Sequence, residues 1–165
     1  MKVKLTEEQL SRIGQSMVNQ LIGAILMTGK TTSVGHDQQV NYFKKGFLDG
    51  KIYDFTHDDL SGLLSAIEEN PQTPVVLYSL AAKHADKVAN AMEDKSKLII
   101  VEPYYQKGGR TARAVQTAVT IGVPSTNVQV HPTKPYRGAG IVNNPTYTPK
   151  DMNHFEALTS AASSL

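Results

Sequence analysis

The residues whose types and spacing most suggest chemistry lie between positions 98 and 118. An apolar run there predicts a buried strand that ends at Glu102, followed by a glycine-rich turn and an amphipathic helix. The free amides and the dipole at the start of a helix attract anions, and basic side chains in the turn add to that attraction. The pattern therefore predicts a phosphate-binding turn. Its candidate ligand-binding residues are Glu102, Lys107, Gly108, Gly109, Arg110 and Thr111.

This turn resembles the ribose-phosphate loop of the type I phosphoribosyltransferases. In that family an apolar strand ends in two acids, and a glycine-rich turn with a Ser or Thr opens the next helix. Val101-Glu102 matches the strand end and the first acid, and residues 107–111 match the phosphate turn. Pro103 stands in place of the second acid. The resemblance implies that Glu102 contacts ribose hydroxyls while the turn holds a 5′-phosphate. A strand-to-helix turn that binds no ligand would share the same pattern.

Charge is unevenly distributed along the chain. Between Pro103 and Lys150 there are six Lys or Arg residues and no Asp or Glu, whereas the rest of the chain has 11 basic and 15 acidic residues. Such a basic segment favours a polyanion partner, and tyrosines among the basic groups suit stacking on nucleobases. A solvated basic surface would have the same composition. The candidate nucleic-acid-binding residues are Arg113, Lys134, Tyr136, Arg137, Tyr147 and Lys150.

Two histidine pairs are further candidates. His36 next to Asp37 could act as an acid–base pair, and residues 57–59, His-Asp-Asp, could bind a metal ion. Carboxylates in the first turn of a helix also serve the helix dipole, and we favour that interpretation for Asp58 and Asp59. The chain has no Walker A, HExxH or EF-hand motif. We therefore predict neither a metal ion nor a cofactor.

The elements that must position these residues follow a regular order in the middle of the chain. Apolar runs predict strands at 74–80, 98–101 and 128–130, and helical spacing predicts helices after Thr56, around 82–92 and at 111–121. This order predicts an α/β fold, a small parallel sheet built from βαβ units and covered by helices. The predicted core residues are Leu10, Leu63, Leu77, Val88, Leu98, Ile100, Val115 and Val119.

The N-terminal third gives a less regular pattern. A capping box at Thr6 and an apolar stripe predict a helix that ends near Gly29. The stripe consists of Leu10, Ile13, Met17, Leu21 and Ile25. Residues 30–55 predict an irregular region with one or two short strands and a hairpin turn at Asp49-Gly50.

The composition changes again after Val130. Four prolines and two glycines between residues 131 and 149 predict a flexible, extended segment without helix or sheet before Thr148. A short terminal helix can follow, with Met152, Phe155 and Leu158 on one side, docked on the core or on a partner. We therefore divide the chain into a compact α/β domain, residues 1–130, and a basic arm, residues 131–165.

These observations support two functional hypotheses. The first is a non-enzymatic RNA- or polyanion-binding accessory protein that acts through the basic arm. Its layout resembles the small assembly and packaging proteins of the double-stranded RNA bacteriophages. That resemblance implies a homodimeric α/β core with a mobile RNA-contacting tail, in the cell or the virion. The alternative is a phosphoribosyltransferase-like enzyme or sensor for a phosphorylated sugar or nucleotide.

Composition sets limits on both hypotheses. The chain lacks cysteine, which excludes disulfides and thiolate metal sites and fits an intracellular protein. The longest apolar patch, residues 21–27, is too short to span a bilayer, and the first residues lack the apolar run of a signal peptide. We therefore expect no membrane partner.

Overall fold

A twisted sheet with helices on both faces organises the chain. The computed structural model describes residues 6–7, 22–29, 35–47, 50–102, 110–131, 134–135 and 151–165. Within them the strand order is β2-β1-β3-β4-β5-β6, with β1 to β5 parallel and β6 antiparallel to β5. The strands are β1 (Ile22–Thr28), β2 (Lys51–Thr56), β3 (Val75–Tyr78), β4 (Leu98–Val101), β5 (Val128–His131) and β6 (Lys134–Pro135). The predicted α/β class with a parallel sheet is confirmed.

Five helices cover the sheet in the described part of the chain. They are α1 (His36–Gly46), α2 (Leu60–Glu69), α3 (Ala85–Ala91), α4 (Arg110–Thr120) and α5 (Asp151–Ser163). Short 3₁₀ segments at 79–84, 95–97 and 125–127 join some of these elements. The order 2-1-3-4-5 of the parallel strands is that of a doubly wound sheet, which reverses direction between β1 and β3. No helix in this part of the chain is long and apolar enough to cross a membrane.

Alternate residues of the central strands supply two separate cores. One core lies under α2, α3 and α4, where Met27, Leu77 and Ile100 meet helix residues such as Val88 and Val115. The other lies under α1 and α5, and it contains the residues Leu26, Val76, Tyr78, Phe43 and Leu158. Because helices bury both faces of the central strands, these strands are apolar throughout and show no alternation of polar residues.

The predicted N-terminal helix is wrong over residues 22–28. Residues 22–28 form the buried strand β1, so Ile25 belongs to the sheet. A short, continuous apolar run has no periodicity that separates a fully buried strand from a buried helix. Thr6 and Glu7 are described, Glu7 as helical, but the rest of the predicted stripe before Ile22, including Leu10, lies outside the described residues.

The irregular region predicted at 30–55 is also wrong in part. It contains helix α1 and strand β2, and β2 pairs with β1 in parallel, so β2 is not an arm of the predicted hairpin. Asp49 lies outside the described residues. Gly46 is a contact position on α1, because a Cβ there would overlap the carbonyl oxygen of Thr159 on α5. This glycine therefore permits the close packing of α1 against α5.

The middle of the chain folds as predicted. Helix α2 ends at Asn70, α4 is followed by Gly122 with φ of +132°, and strands β3, β4 and β5 lie within or next to their predicted ranges. Six of the predicted core residues are fully buried, and Val119 packs against the core while partly exposed. Those six are Leu63, Leu77, Val88, Leu98, Ile100 and Val115.

The segment after Val130 differs from the prediction at two places. His131 extends β5, and Lys134–Pro135 forms β6, so these residues do not lack sheet structure. The predicted terminal helix is present as α5. Of the two predicted docking surfaces, the core and a partner, it packs on the core, against α1 and the sheet. Residues 132–133 and 136–150 lie outside the described residues.

Candidate functional site

The first candidate site is the carboxyl end of β4, where Glu102 directly follows the strand as predicted. Its backbone N–H donates to the carbonyl oxygen of Gln129 at 2.8 Å. The residue is only 5% exposed, so little of its surface is open to a ligand. Lys107, Gly108 and Gly109 lie outside the described residues, and the predicted phosphate turn stays a prediction.

Three basic positions of the described chain lie at this end of the sheet. Arg110 is the first residue of α4, Thr111 is half-buried, and Arg113 is exposed one turn further on. Lys134 begins β6 opposite His131, at the carboxyl end of β5, so its backbone lies at the same edge of the sheet. No acidic residue is present in α4. The other candidate nucleic-acid-binding residues, Tyr136, Arg137, Tyr147 and Lys150, lie outside the described residues.

A second candidate site lies across the sheet, at the carboxyl ends of β1 and β2. The Oγ1 atom of Thr28, the last residue of β1, lies 2.5 Å from Nδ1 of His36. The other ring nitrogen of His36, Nε2, lies 2.7 Å from Oδ2 of Asp54 in β2. A hydroxyl, an imidazole and a carboxylate thus form one hydrogen-bonded chain.

The carboxylate fixes the direction of this chain. A carboxylate only accepts hydrogen bonds, so the neutral imidazole that pairs with it is the tautomer that carries its proton on Nε2 and donates it to Asp54. Nδ1 is then an acceptor, and the hydroxyl of Thr28 donates to it. This is the order of donors that primes a hydroxyl to lose its proton to an imidazole.

The chain borders a cavity of about 300 Å³. The cavity is lined by Thr28, Gly29, Gly35, His36, Thr56, His57 and Asp58. These residues come from the end of β1, the start of α1 and the turn after β2, which the parallel pairing of the two strands brings together. The edge formed by the carboxyl ends of parallel strands is the usual location of ligand sites in open α/β sheets.

Charged groups surround His57 at the border of the cavity. Its Nδ1 lies 3.1 Å from Nζ of Lys83 and 3.2 Å from Oδ1 of Asp58. Nδ1 can accept from the ammonium or donate to the carboxylate, but it cannot do both at once. His84 Nε2 donates to the backbone oxygen of His57 at 2.8 Å, which ties the turn after β2 to the 3₁₀ segment after β3.

The crevice between β1 and β3, where the sheet reverses, is tightly packed. A Cβ at Gly29 would overlap the backbone nitrogen of Leu80. Ser79, buried next to it, adopts φ of +59°, which is uncommon for a residue other than glycine. The ends of β1 and β3 therefore touch, and the open space lies on the β1–β2 side.

The histidine hypotheses from the sequence have different outcomes. Thr28 and Asp54 take both ring nitrogens of His36, so Asp37 is not the partner that the sequence suggested. The first-turn interpretation of Asp58 and Asp59 is corrected: the first turn of α2 holds no acid, Asp59 is the N-cap of the helix, and Asp58 precedes the cap. Within the described ranges, no three His, Asp or Glu side chains are grouped as a metal site requires.

Sequence reasoning missed Thr28 and Asp54. They lie 8 and 18 residues from His36, and only the parallel pairing of β1 with β2 brings them together. A Thr at the end of a buried strand and an acid in the neighbouring strand would have been the available clue. Comparison with known proteins adds no assignment, because no protein-family model, curated protein or solved structure matches this chain.

Proposed function

We propose that the protein binds RNA or another polyanion at the basic edge of its sheet, defined as the carboxyl ends of β4 and β5 with the start of α4 and β6. The observation that supports the proposal is that the backbone positions of Arg110, Arg113 and Lys134 all lie at this edge. Six basic residues and no acid between positions 103 and 150 extend the same charge along the chain. In this role the protein would act as an accessory factor in assembling or packaging RNA, inside the cell or the virion, with a second copy of itself as a partner.

The physical basis of such binding is counterion release from the nucleic acid. Each Lys or Arg that neutralises a phosphate frees condensed cations, and on single strands it steepens the log-affinity against log-salt slope by about 0.7. Tyr136 and Tyr147 are close in sequence to Lys134, Arg137 and Lys150. A tyrosine that stacks on a base adds about 1–3 kcal/mol.

The test is RNA binding across a salt series for the wild type and for the triple variant R110A/R113A/K134A. Loss of three phosphate contacts should flatten the slope by about two units. The matched control is K44A/K45A/K51A, which removes the same charge from the opposite edge of the sheet, at the end of α1 and the start of β2. This control should keep the wild-type slope.

Two results would contradict the proposal. One is no binding by the wild type at low salt; the other is an equal loss of slope in the control and the triple variant, which would indicate a general effect of net charge. Binding of phosphoribosyl pyrophosphate without binding of RNA would favour the alternative function, a phosphorylated ligand held between Glu102 and Thr111.

A further inference from the structure

The hydrogen-bonded chain of Thr28, His36 and Asp54 contains a hydroxyl, an imidazole and a carboxylate. Two of its members, Thr28 and His36, line the cavity. We propose that Thr28, His36 and Asp54 form an acyl-transfer site that hydrolyses small carboxylic esters. Thr28 is the nucleophile, His36 is the general base, and Asp54 is a positioning residue that acts through His36. A nucleophile bonded to a base, which is in turn oriented by a third group, is the geometric pattern of this chemistry.

The distances suit proton transfer. The 2.5 Å separation of Thr28 Oγ1 and His36 Nδ1 lies within the reach that a general base requires. Asp54 holds the opposite nitrogen at 2.7 Å, which fixes the tautomer and stabilises the imidazolium that forms when the proton arrives. Thr28 is 1% exposed and is one of the residues that line the cavity, so only a molecule that enters the cavity and packs against this residue can be attacked.

The start of α1 supplies donors for the developing negative charge. The first backbone bond of this helix runs from the N–H of Gln39 to the oxygen of Gly35, so the three amides before Gln39 have no partner within the helix. Gly35 and His36 both line the cavity. Backbone amides next to the nucleophile are the groups that stabilise an oxyanion in acyl transfer.

The reaction balances without a cofactor. Thr28 Oγ1 attacks the ester carbonyl while its proton passes to His36 Nδ1, and the imidazolium gives that proton to the departing alkoxide as the C–O bond breaks. Water then attacks the acyl-threonine, and its proton passes through His36 to Oγ1 of Thr28. The products are a carboxylic acid and an alcohol.

The cavity narrows the class of substrate. Its volume of about 300 Å³ is at the lower end of the range for small-molecule sites, which favours short acyl chains. Asp58 and Lys83 both lie beside His57 at its border, so their opposite charges offset each other and give no preference for a charged acyl group. Short, neutral esters are therefore the expected substrates.

The experiment uses p-nitrophenyl acetate as the probe and the full chain as the enzyme. Wild-type protein should release p-nitrophenol faster than buffer does, and acid quenching followed by peptide mass spectrometry should find acetyl on Thr28. Thr28→Val removes the hydroxyl in the same shape and should lower the rate by about 10²-fold or more. Thr28→Ser restores a hydroxyl at this position and should recover part of the turnover that Thr28→Val loses, which separates chemistry from packing.

Asp54 needs a measurement that a purely structural role would not change. Asp54→Asn should lower turnover by about 10²–10⁴-fold while the protein stays folded by circular dichroism. ¹⁵N chemical shifts of the His36 ring should show the proton moving away from Nε2 in that variant. Thr117→Val, an exposed position on α4, is the control and should match the wild type.

Three outcomes would overturn the proposal. They are an absence of turnover and acetyl adduct in the wild type, an adduct only on residues other than Thr28, and full activity in folded Thr28→Val. Activity would also have to survive a further purification step in constant ratio to the protein, because a copurified esterase would not respond to Thr28→Val.

Discussion

At the scale of single residues, Gly29 lies where the ends of β1 and β3 meet. A side chain at this position has no room, because its Cβ would overlap the backbone nitrogen of Leu80. Backbone cannot move aside as the tip of a flexible side chain can. The packing of this pair also closes the space between β1 and β3 and leaves the cavity on the β1–β2 side.

We expect Gly29→Ala to destabilise the protein by about 2–3 kcal/mol, since overpacking of a filled site forces the strand ends apart. Urea denaturation followed by circular dichroism measures the loss. Gly35→Ala is the matched control, because its new methyl group meets nothing within 4 Å. It should cost less than about 1 kcal/mol, from the loss of a favourable N-cap residue. Equal losses in the two variants would show that the contact with Leu80 is relaxed in solution.

The residue scale is also where the sequence was least informative about the site. His36 attracted notice because it stands beside Asp37, but its partners come from two strands that are distant in sequence. Neither partner belongs to a local motif, so no spacing rule could identify them. Glu102, by contrast, directly follows an apolar run, and its place at a strand end followed from that run alone.

At the scale of elements, the start of α2 shows how a short polar run sets a boundary. The side chain of Asp59 accepts from the backbone N–H of Gly62 at 3.0 Å, which satisfies one of the free amides of the helix. Asp58, its neighbour, is 80% exposed and does not cap the helix. The two carboxylates thus have the same charge near the helix but different hydrogen bonds.

We expect Asp59→Ala to cost about 1 kcal/mol in stability, the usual value for the loss of an N-cap side chain. Amide hydrogen exchange should report faster exchange at Gly62 in this variant. Asp58→Ala keeps the cap and should leave the exchange at Gly62 unchanged. If both variants accelerate exchange alike, charge near the helix start and not the hydrogen bond explains the effect.

The elements that could be predicted from the sequence are those whose patterns are local. Helices α2 and α4 have apolar residues at helical spacing, and β3 and β4 are short apolar runs between breaks in the pattern. Strand β1 could not be separated from a helix, because burial on both faces removes its alternation. Helix α1 is mostly polar, so its sequence shows only a weak apolar stripe. Its buried residues Val40 and Phe43 belong to the same core as residues of α5, which is distant in sequence.

At the scale of the whole molecule, α5 completes the second core. Leu158 is fully buried there, and the rings of Tyr42 and Phe155 meet edge to face with centroids 5.3 Å apart. The hydroxyl of Thr159 donates to the carbonyl oxygen of Tyr42 at 3.2 Å, across 117 residues of sequence. Helix α5 therefore packs against an element, α1, that is distant from it in sequence.

We expect Leu158→Ala to lower the free energy of unfolding by about 2–5 kcal/mol, since it empties a fully buried position. Calorimetry should show a single transition at a lower temperature. Leu165→Ala, at a position that is 39% exposed, removes the same atoms and should change stability by less than about 0.5 kcal/mol. A small loss in Leu158→Ala would mean that α5 leaves the core easily in solution.

The border of the sheet at β2 has a consequence for handling the protein. Among the described strands β2 is an edge strand, paired only with β1. The backbone N–H and C=O groups on its other side form no ladder with another described strand. Lys51 and Asp54 place charges beside the half-exposed Tyr53, and charges on such a border discourage molecules from joining sheet to sheet. We therefore expect Asp54, besides its hydrogen bond to His36, to oppose association of molecules through β2. Increased light scattering from a concentrated Asp54→Asn solution, with unchanged circular dichroism, would indicate association through β2 rather than unfolding.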